Sequence, residues 1–273
     1  MQKTIDELTI MSDFIFGIVM RQERFCKPLL EFILGIKIKK LVYHNEQESI
    51  TVGIPNSKSI RLDVYAEDDA GTVYDIEVQT TDKRNLGKRT RYYQSMIDID
   101  SLMKGADYSE LKESFVIFIC LDDPFEENLP LYTFERKCRE NPNVDLKDET
   151  HHLIFNAAAY EKETKPEIKE FLSFVKNNKA DSDFTRRIAQ MVQTKKFENT
   201  FVNEYMAWNL HDMDVERRAK AEGRKEGRKE GITEGMNTAR AETAKNLFSM
   251  GLSVENIAKA TELSLDFVKE LFS

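Results

Sequence analysis

The stretch SFVIFICL at 114–121 constrains this chain more than any other, because it offers solvent no polar side. A half-exposed strand alternates apolar and polar residues, whereas an unbroken apolar run of strand length between charged segments is covered on both faces. Covering both faces takes a layer on each side, so the run predicts an α/β arrangement, a sheet flanked by helices. The neighbouring sequence can supply those layers. DFIFGIVMRQERFCKPLLEFIL at 13–34 spaces its apolar residues as two amphipathic helices divided near Pro28. IKIKKLVY and RLDVYAEDDAGTVYDIEVQ alternate as strands, and NLGKRTRYYQSMIDIDSLMKG reads as a helix closing at Gly105. LYTFERKC and HHLIFNAAAY add strands, and from Pro166 the pattern is helical nearly to the end.

Three regions are expected: a globular domain over 1–180, a helical extension over 181–235, and a small helical tail over 236–273. The extension contains EGRKEGRKEGITEG, with glycine at 223, 227, 231 and 235. Each glycine costs a helix about 1 kcal/mol relative to alanine. Two readings stay open, a helix whose glycine stripe admits a close neighbour and a frayed connector. In the tail, Gly251 stands where a helix-ending glycine belongs, and Ser253 and Ser264 stand where N-caps belong. The module resembles a helix-turn-helix. However, Glu255, Glu262, Asp266 and Glu270 outnumber Lys259 and Lys269 on its last two helices, which suits self-association better than reading DNA.

A net charge of −8 argues against a uniformly basic surface for nucleic acid. The exception is KRNLGKRTR, where Lys83, Arg84, Lys88, Arg89 and Arg91 crowd together with no acid between them. Cys26, Cys120 and Cys138 give neither a disulfide framework nor zinc spacing, and adjacent His151 and His152 point to opposite faces of an extended segment. No run approaches the roughly 18 apolar residues of a membrane span, and the start lacks a secretory pattern, so a cytoplasmic location is expected.

The hairpin at 61–79 carries Asp63, Glu77 and Gln79, and register decides what they do. A two-residue loop at Ala70-Gly71 would set Asp63 against Val78 and bury it among apolar groups. A three-residue loop of Asp69-Ala70-Gly71, with Gly71 left-handed, pairs Asp68 with Thr72 and brings Asp63 opposite Glu77. Leu62, Val64, Ile76 and Val78 then share one face, and Asp63, Glu77 and Gln79 the other. Two opposed carboxylates about 5 Å apart repel unless neutralised, and a hard cation such as Mg²⁺ accepts such oxygens. The competing reading is an acidic, solvated hairpin face.

MSDFIFGIVM, RLDVYAEDDAGTVYDIEVQ, RTRYYQSMIDID, FVIFICLDDPF, YTFERKC, the glycine-glutamate repeat and the terminal helices follow one another in an order that resembles the PD-(D/E)XK nuclease superfamily. Within it, the chain resembles the recombination-promoting nuclease and transposase family. The resemblance implies a restriction-endonuclease-like core, a mixed sheet flanked by helices, followed by an all-helical C-terminal region. It implies Asp63 and Glu77 as Mg²⁺ ligands, with Mn²⁺ as a substitute, and the Val78 carbonyl as a further ligand. Gln79 stands at the superfamily's lysine position, where it can hold water but supplies no positive charge. Leu62 stands where the superfamily has proline. Asp13 is an additional ligand candidate or else an N-cap. Gln94 is a candidate contact to the site, and Arg84, Lys88 and Arg91, at i, i+4 and i+7, are candidate phosphate contacts or else a plain solvated face. Tyr92 and Tyr93 read as packing residues. The implied activity is Mg²⁺-dependent DNA cleavage of low sequence specificity, linked to recombination, mobile elements or defence. The alternative is a non-catalytic nuclease-fold protein that binds nucleic acid or protein as a homo-oligomer joined through its C-terminal helices.

Overall fold

The computed structural model describes residues 4–43, 62–80, 85–102 and 105–272. Two compact units emerge, Met1–Val202 and Asn203–Ser273. The first is built on a six-stranded sheet in the order β1-β2-β3-β4-β6-β5. The strands are β1 (Leu41–Tyr43), β2 (Val64–Asp68), β3 (Val73–Gln79), β4 (Ser114–Cys120), β5 (Leu131–Phe134) and β6 (Thr150–Asn156). The first three pair antiparallel, β3–β4 and β4–β6 pair parallel, and β5 closes the far edge antiparallel to β6. This is the mixed sheet expected. The apolar run at 114 becomes central β4, with Val116, Ile117, Phe118 and Ile119 all buried.

A parallel β3–β4 pair requires a crossover, and α3 (Leu86–Ser101) provides it. Leu86, Met96 and Ile97 of α3 pack with Tyr65, Val73, Val116, Phe118, Cys120 and Ile154, so α3 covers this face of the sheet. The opposite face presents Val64, Ile76, Val78, Ile117, Ile119 and Phe155, also buried. Helix α1 (Asp13–Met20) packs on β3 and on α2 (Glu23–Leu34), which meets α4 (Pro166–Asn177).

Several boundaries differ from the sequence reading. The first helical stretch breaks at Arg21–Gln22, not near Pro28, because Gln22 turns extended at the N-cap position of α2. Pro28 lies inside α2, at the cost of one backbone hydrogen bond in its second turn. Of IKIKKLVY only Leu41–Tyr43 is strand, because the Ile38 and Lys39 amides are taken by the side chains of Glu31 (3.0 Å) and Asp69 (3.2 Å). The third helix ends at Ser101, short of Gly105. The first unit reaches past residue 180 to take in α5 (Asp183–Lys196), whose Phe184 ring meets Phe32 edge-on at 5.4 Å.

Helix α6 (Asn199–Ser249) leads into the second unit, followed by α7 (Val254–Thr261) and α8 (Leu265–Leu271). The glycine repeat is helical, and a β-carbon on any of its four glycines would meet nothing within 4 Å. Gly251 takes a left-handed φ of 85°, and the Ser253 and Ser264 hydroxyls accept from the amides of Asn256 and Phe267. Ala244, Ile257 and Val268 form a small core under these turns.

Candidate active site

The β2–β3 hairpin has the three-residue-loop register: Val64 pairs with Ile76, Tyr65 with Asp75, Ala66 with Tyr74 and Glu67 with Val73. Gly71 adopts φ 90°, which an L side chain would strain. Asp68 fixes the loop, its Oδ1 accepting from the amides of Ala70 (2.9 Å) and Thr72 (3.0 Å) while Tyr74 donates its hydroxyl to Oδ2 at 2.7 Å.

The ladder stops at Val64, and the two acids take over its bonding. The Asp63 amide donates to Glu77 Oε1 at 2.8 Å, and the Val78 amide donates to Asp63 Oδ2 at 3.1 Å. Each carboxylate thus binds the backbone of the opposite strand, which holds the two side chains face to face. Past the ladder the chain bends, so Leu62 packs with Tyr65, Val73 and Leu86 under α3 and not beside Val64 as the alternation suggested.

The acid face is not a solvated hairpin surface. Glu77 is 3% exposed and Asp75, which shares its face two residues earlier, is 0% exposed. Among the described residues no N–H donor meets either Asp75 oxygen, and its hydrogen-bond partner is the neighbouring Glu77 carboxyl when one of the pair holds a proton. All three carboxyls are held well above the usual carboxylate range. Burial is the main cause throughout, followed by the Glu77 charge for Asp63, the Asp63 charge for Asp75 and the Asp75 charge for Glu77.

Helix α1 closes the other side. Asp13 is its first residue, with Ser12 in the cap position, so Asp13 is not the N-cap. Its charge adds to those raising the Asp63 carboxyl. One turn on, a β-carbon at Gly17 would stand only 3.1 Å from the Asp63 carbonyl oxygen. Arg21 then donates to the Leu62 carbonyl at 3.1 Å, and its charge partly offsets the others at Asp63.

Gln79 accepts a hydrogen bond from Arg89 Nη1. The same guanidinium reaches within 4.0 Å of Glu77 Oε2, donates to the Tyr93 hydroxyl at 3.2 Å and stacks 5.2 Å from the Phe118 ring centre. Lys88 and Arg91 are exposed on α3, and Arg84 lies outside the described residues. Among the described residues no hydrogen bond joins Gln94 to Asp63, Asp75 or Glu77. Gln94 is buried, and its Nε2 donates to Asp98 and to Ser114, which opens β4 opposite Val73, whereas Glu77 sits beside Phe118 further along. Asp75 and Arg89 escaped the sequence reading as site residues, although alternation from Glu77 alone puts Asp75 on the acid face.

A model of the PD-(D/E)XK nuclease family transposases matches residues 11–229. The chain belongs to this family. Searches of curated proteins and of solved structures give no match. The PD-(D/E)XK assignment accords with the mixed sheet flanked by helices. Members of this nuclease family typically use divalent metals. Among the described residues, no three His, Cys, Asp or Glu side chains stand ready to hold an ion. The donor chemistry nonetheless fits a hard cation of the Mg²⁺ type, which keeps several waters and needs one or two carboxylates. Buried carboxyls that raise one another's pKa, with Asp75 partnered only by the neighbouring Glu77 carboxyl among the described residues, are what such a cation would neutralise. Among the described residues no helix is long and apolar enough to cross a membrane.

Proposed function

We propose that this PD-(D/E)XK protein is a Mg²⁺-dependent endonuclease that hydrolyses phosphodiester bonds in DNA with low sequence specificity, in the service of recombination, mobile elements or defence. The observation that carries the reading is the reciprocal bonding of Asp63 and Glu77 across the hairpin. Asp63 and Glu77 would hold the ion, with the Val78 carbonyl and Asp13 as further oxygen donors and Mn²⁺ as a substitute. A bound Mg²⁺ lowers the pKa of a water and offsets charge on the scissile phosphate. The chain's own residues do the rest. The backbone amides of Asp63 and Val78 fix the two carboxylates before any ion arrives, so little reorganisation remains at binding. Gln79 can orient a water by hydrogen bonds without exchanging a proton. Exposed Lys88 and Arg91 offer phosphate contacts, which position a duplex but carry no sequence information.

The test is nicking of supercoiled plasmid in Mg²⁺ by wild type beside Asp63→Asn and Glu77→Gln. Wild type is expected to relax the plasmid, and each variant to lose at least about 100-fold in rate, as for loss of one preorganised electrostatic contact. Equal nicking by all three, or by none, removes the catalytic reading.

One observation favours a second reading, a non-catalytic oligomeric binding module. Each acid already spends an oxygen on a backbone amide, and Arg89 stands 4.0 Å from Glu77. That reading predicts plasmid binding without cleavage, and assembly through the C-terminal helices measurable by light scattering.

A further inference from the structure

The lysine position of the motif is held by Gln79, which brings no charge, yet the structure does not leave that place without a cation. We propose that Arg89, reaching in from α3, is a catalytic residue whose guanidinium contacts the scissile phosphate and supplies the charge that Gln79 lacks. This deepens the endonuclease reading and rests on it.

Four features carry the assignment. Arg89 touches the motif itself, donating to the Gln79 side-chain oxygen and standing 4.0 Å from Glu77 Oε2. Its side chain is 31% exposed while that of Glu77 is 4% exposed, so Arg89 stands at the partly open edge of a buried acid cluster. Its plane is held from behind by Phe118 at 5.2 Å and Tyr93 at 5.6 Å, and Nη2 is fixed on the Tyr93 hydroxyl. Finally, a guanidinium stays charged at any working pH and presents five donors in a fixed fork, which suits two oxygens of one phosphate. Its sequence neighbours Lys88 and Arg91 point to solvent and share none of these contacts.

The role implied is electrostatic. As the P–O bond to the leaving oxygen lengthens and water attacks, negative charge gathers on the non-bridging oxygens, and a preplaced cation stabilises that state more than the substrate. Gln79 then acts as a positioning residue, holding Arg89 through its amide oxygen.

The experiment compares plasmid nicking by wild type, Asp63→Asn, Arg89→Met and the double variant Arg89→Met/Gln79→Lys, with plasmid binding in EDTA measured in parallel. Arg89→Met is expected to lower kcat by about 10² to 10³-fold, with KM and plasmid affinity changed less than about threefold, the small effect expected of an interaction made in the transition state. Placing lysine at 79 in the Arg89→Met background is expected to restore at least about tenfold of the loss, because the charge returns to the same edge. A residue with only a structural role would not be rescued this way. Full activity in Arg89→Met, a loss confined to plasmid binding, or no recovery in the double variant overturns the proposal. If wild type does not nick, or Asp63→Asn nicks equally, the endonuclease reading itself falls, and that outcome is distinct from failure of the Arg89 assignment alone.

Discussion

Replacing Asp75 by asparagine is expected to make the metal-free protein more stable at neutral pH, and the gain should grow as pH rises. Asp75 is fully buried beside Glu77 and Asp63, and burial with mutual repulsion raises all three carboxyls. An ordinary Asp or Glu titrates near pH 4. Below that value both folded and unfolded chains hold their protons, and the cluster costs nothing extra. As pH climbs above it, the unfolded chain releases protons that the folded chain keeps, so stability falls until the folded-state carboxyls also ionise. Each retained proton costs about 1.4 kcal/mol per pH unit. For a unit of about 200 residues that converts to roughly 3–6 °C in Tm per pH unit. Asparagine cannot titrate and removes the charge that raises Glu77. Calorimetry in EDTA at pH 5, 6, 7 and 8 should therefore show the variant gaining on wild type by roughly that amount per unit until the folded-state carboxyls ionise, and saturating Mg²⁺ should flatten the wild-type slope. Melting curves that stay parallel from pH 5 to 8 would refute the picture of a buried, proton-retaining acid cluster.

Gly17→Ala should gain about 1 kcal/mol of helix propensity but lose about 1–3 kcal/mol to overpacking against the Asp63 carbonyl. A net drop in Tm with a disproportionate loss of nicking is expected, and an unimpaired nuclease would show that the close approach is not needed. Asp68→Ala strips two loop amides and the Tyr74 hydroxyl of their shared acceptor, so urea denaturation should show a loss of about 2–3 kcal/mol. Ser253→Ala and Ser264→Ala should each cost about 1 kcal/mol, visible as faster amide exchange over residues 254–271 with plasmid nicking unchanged.

How much of this was legible depends on the range of the interaction. The hairpin register could be read because turn chemistry at Gly71 and the alternation of Val64, Ile76 and Val78 point the same way, and both are local. The N-caps at Ser253 and Ser264 could be read for the same reason. Asp75 was legible in principle by parity from Glu77. Its burial was not, since an acid on the non-apolar face reads as solvated until α3 is seen to cover that face. Arg89 was hidden because charge spacing on a helix does not say which side docks. The spacing of Arg84, Lys88 and Arg91 picks out one stripe, while the residue that enters the site lies between its members. The break at Gln22 was missed because proline is a strong local signal, and the packing of α1 and α2 overrides it.

The two walls of the acid cluster are stiffened by different means. On one side a helix backbone meets a strand backbone with only hydrogen at Gly17 between them, a hard stop behind the Asp63 carbonyl. On the other the Arg89 side chain is clasped by Gln79, Tyr93 and Phe118. Both jaws of this vice are therefore set in advance, one by main chain and the other by the side chains that grip it.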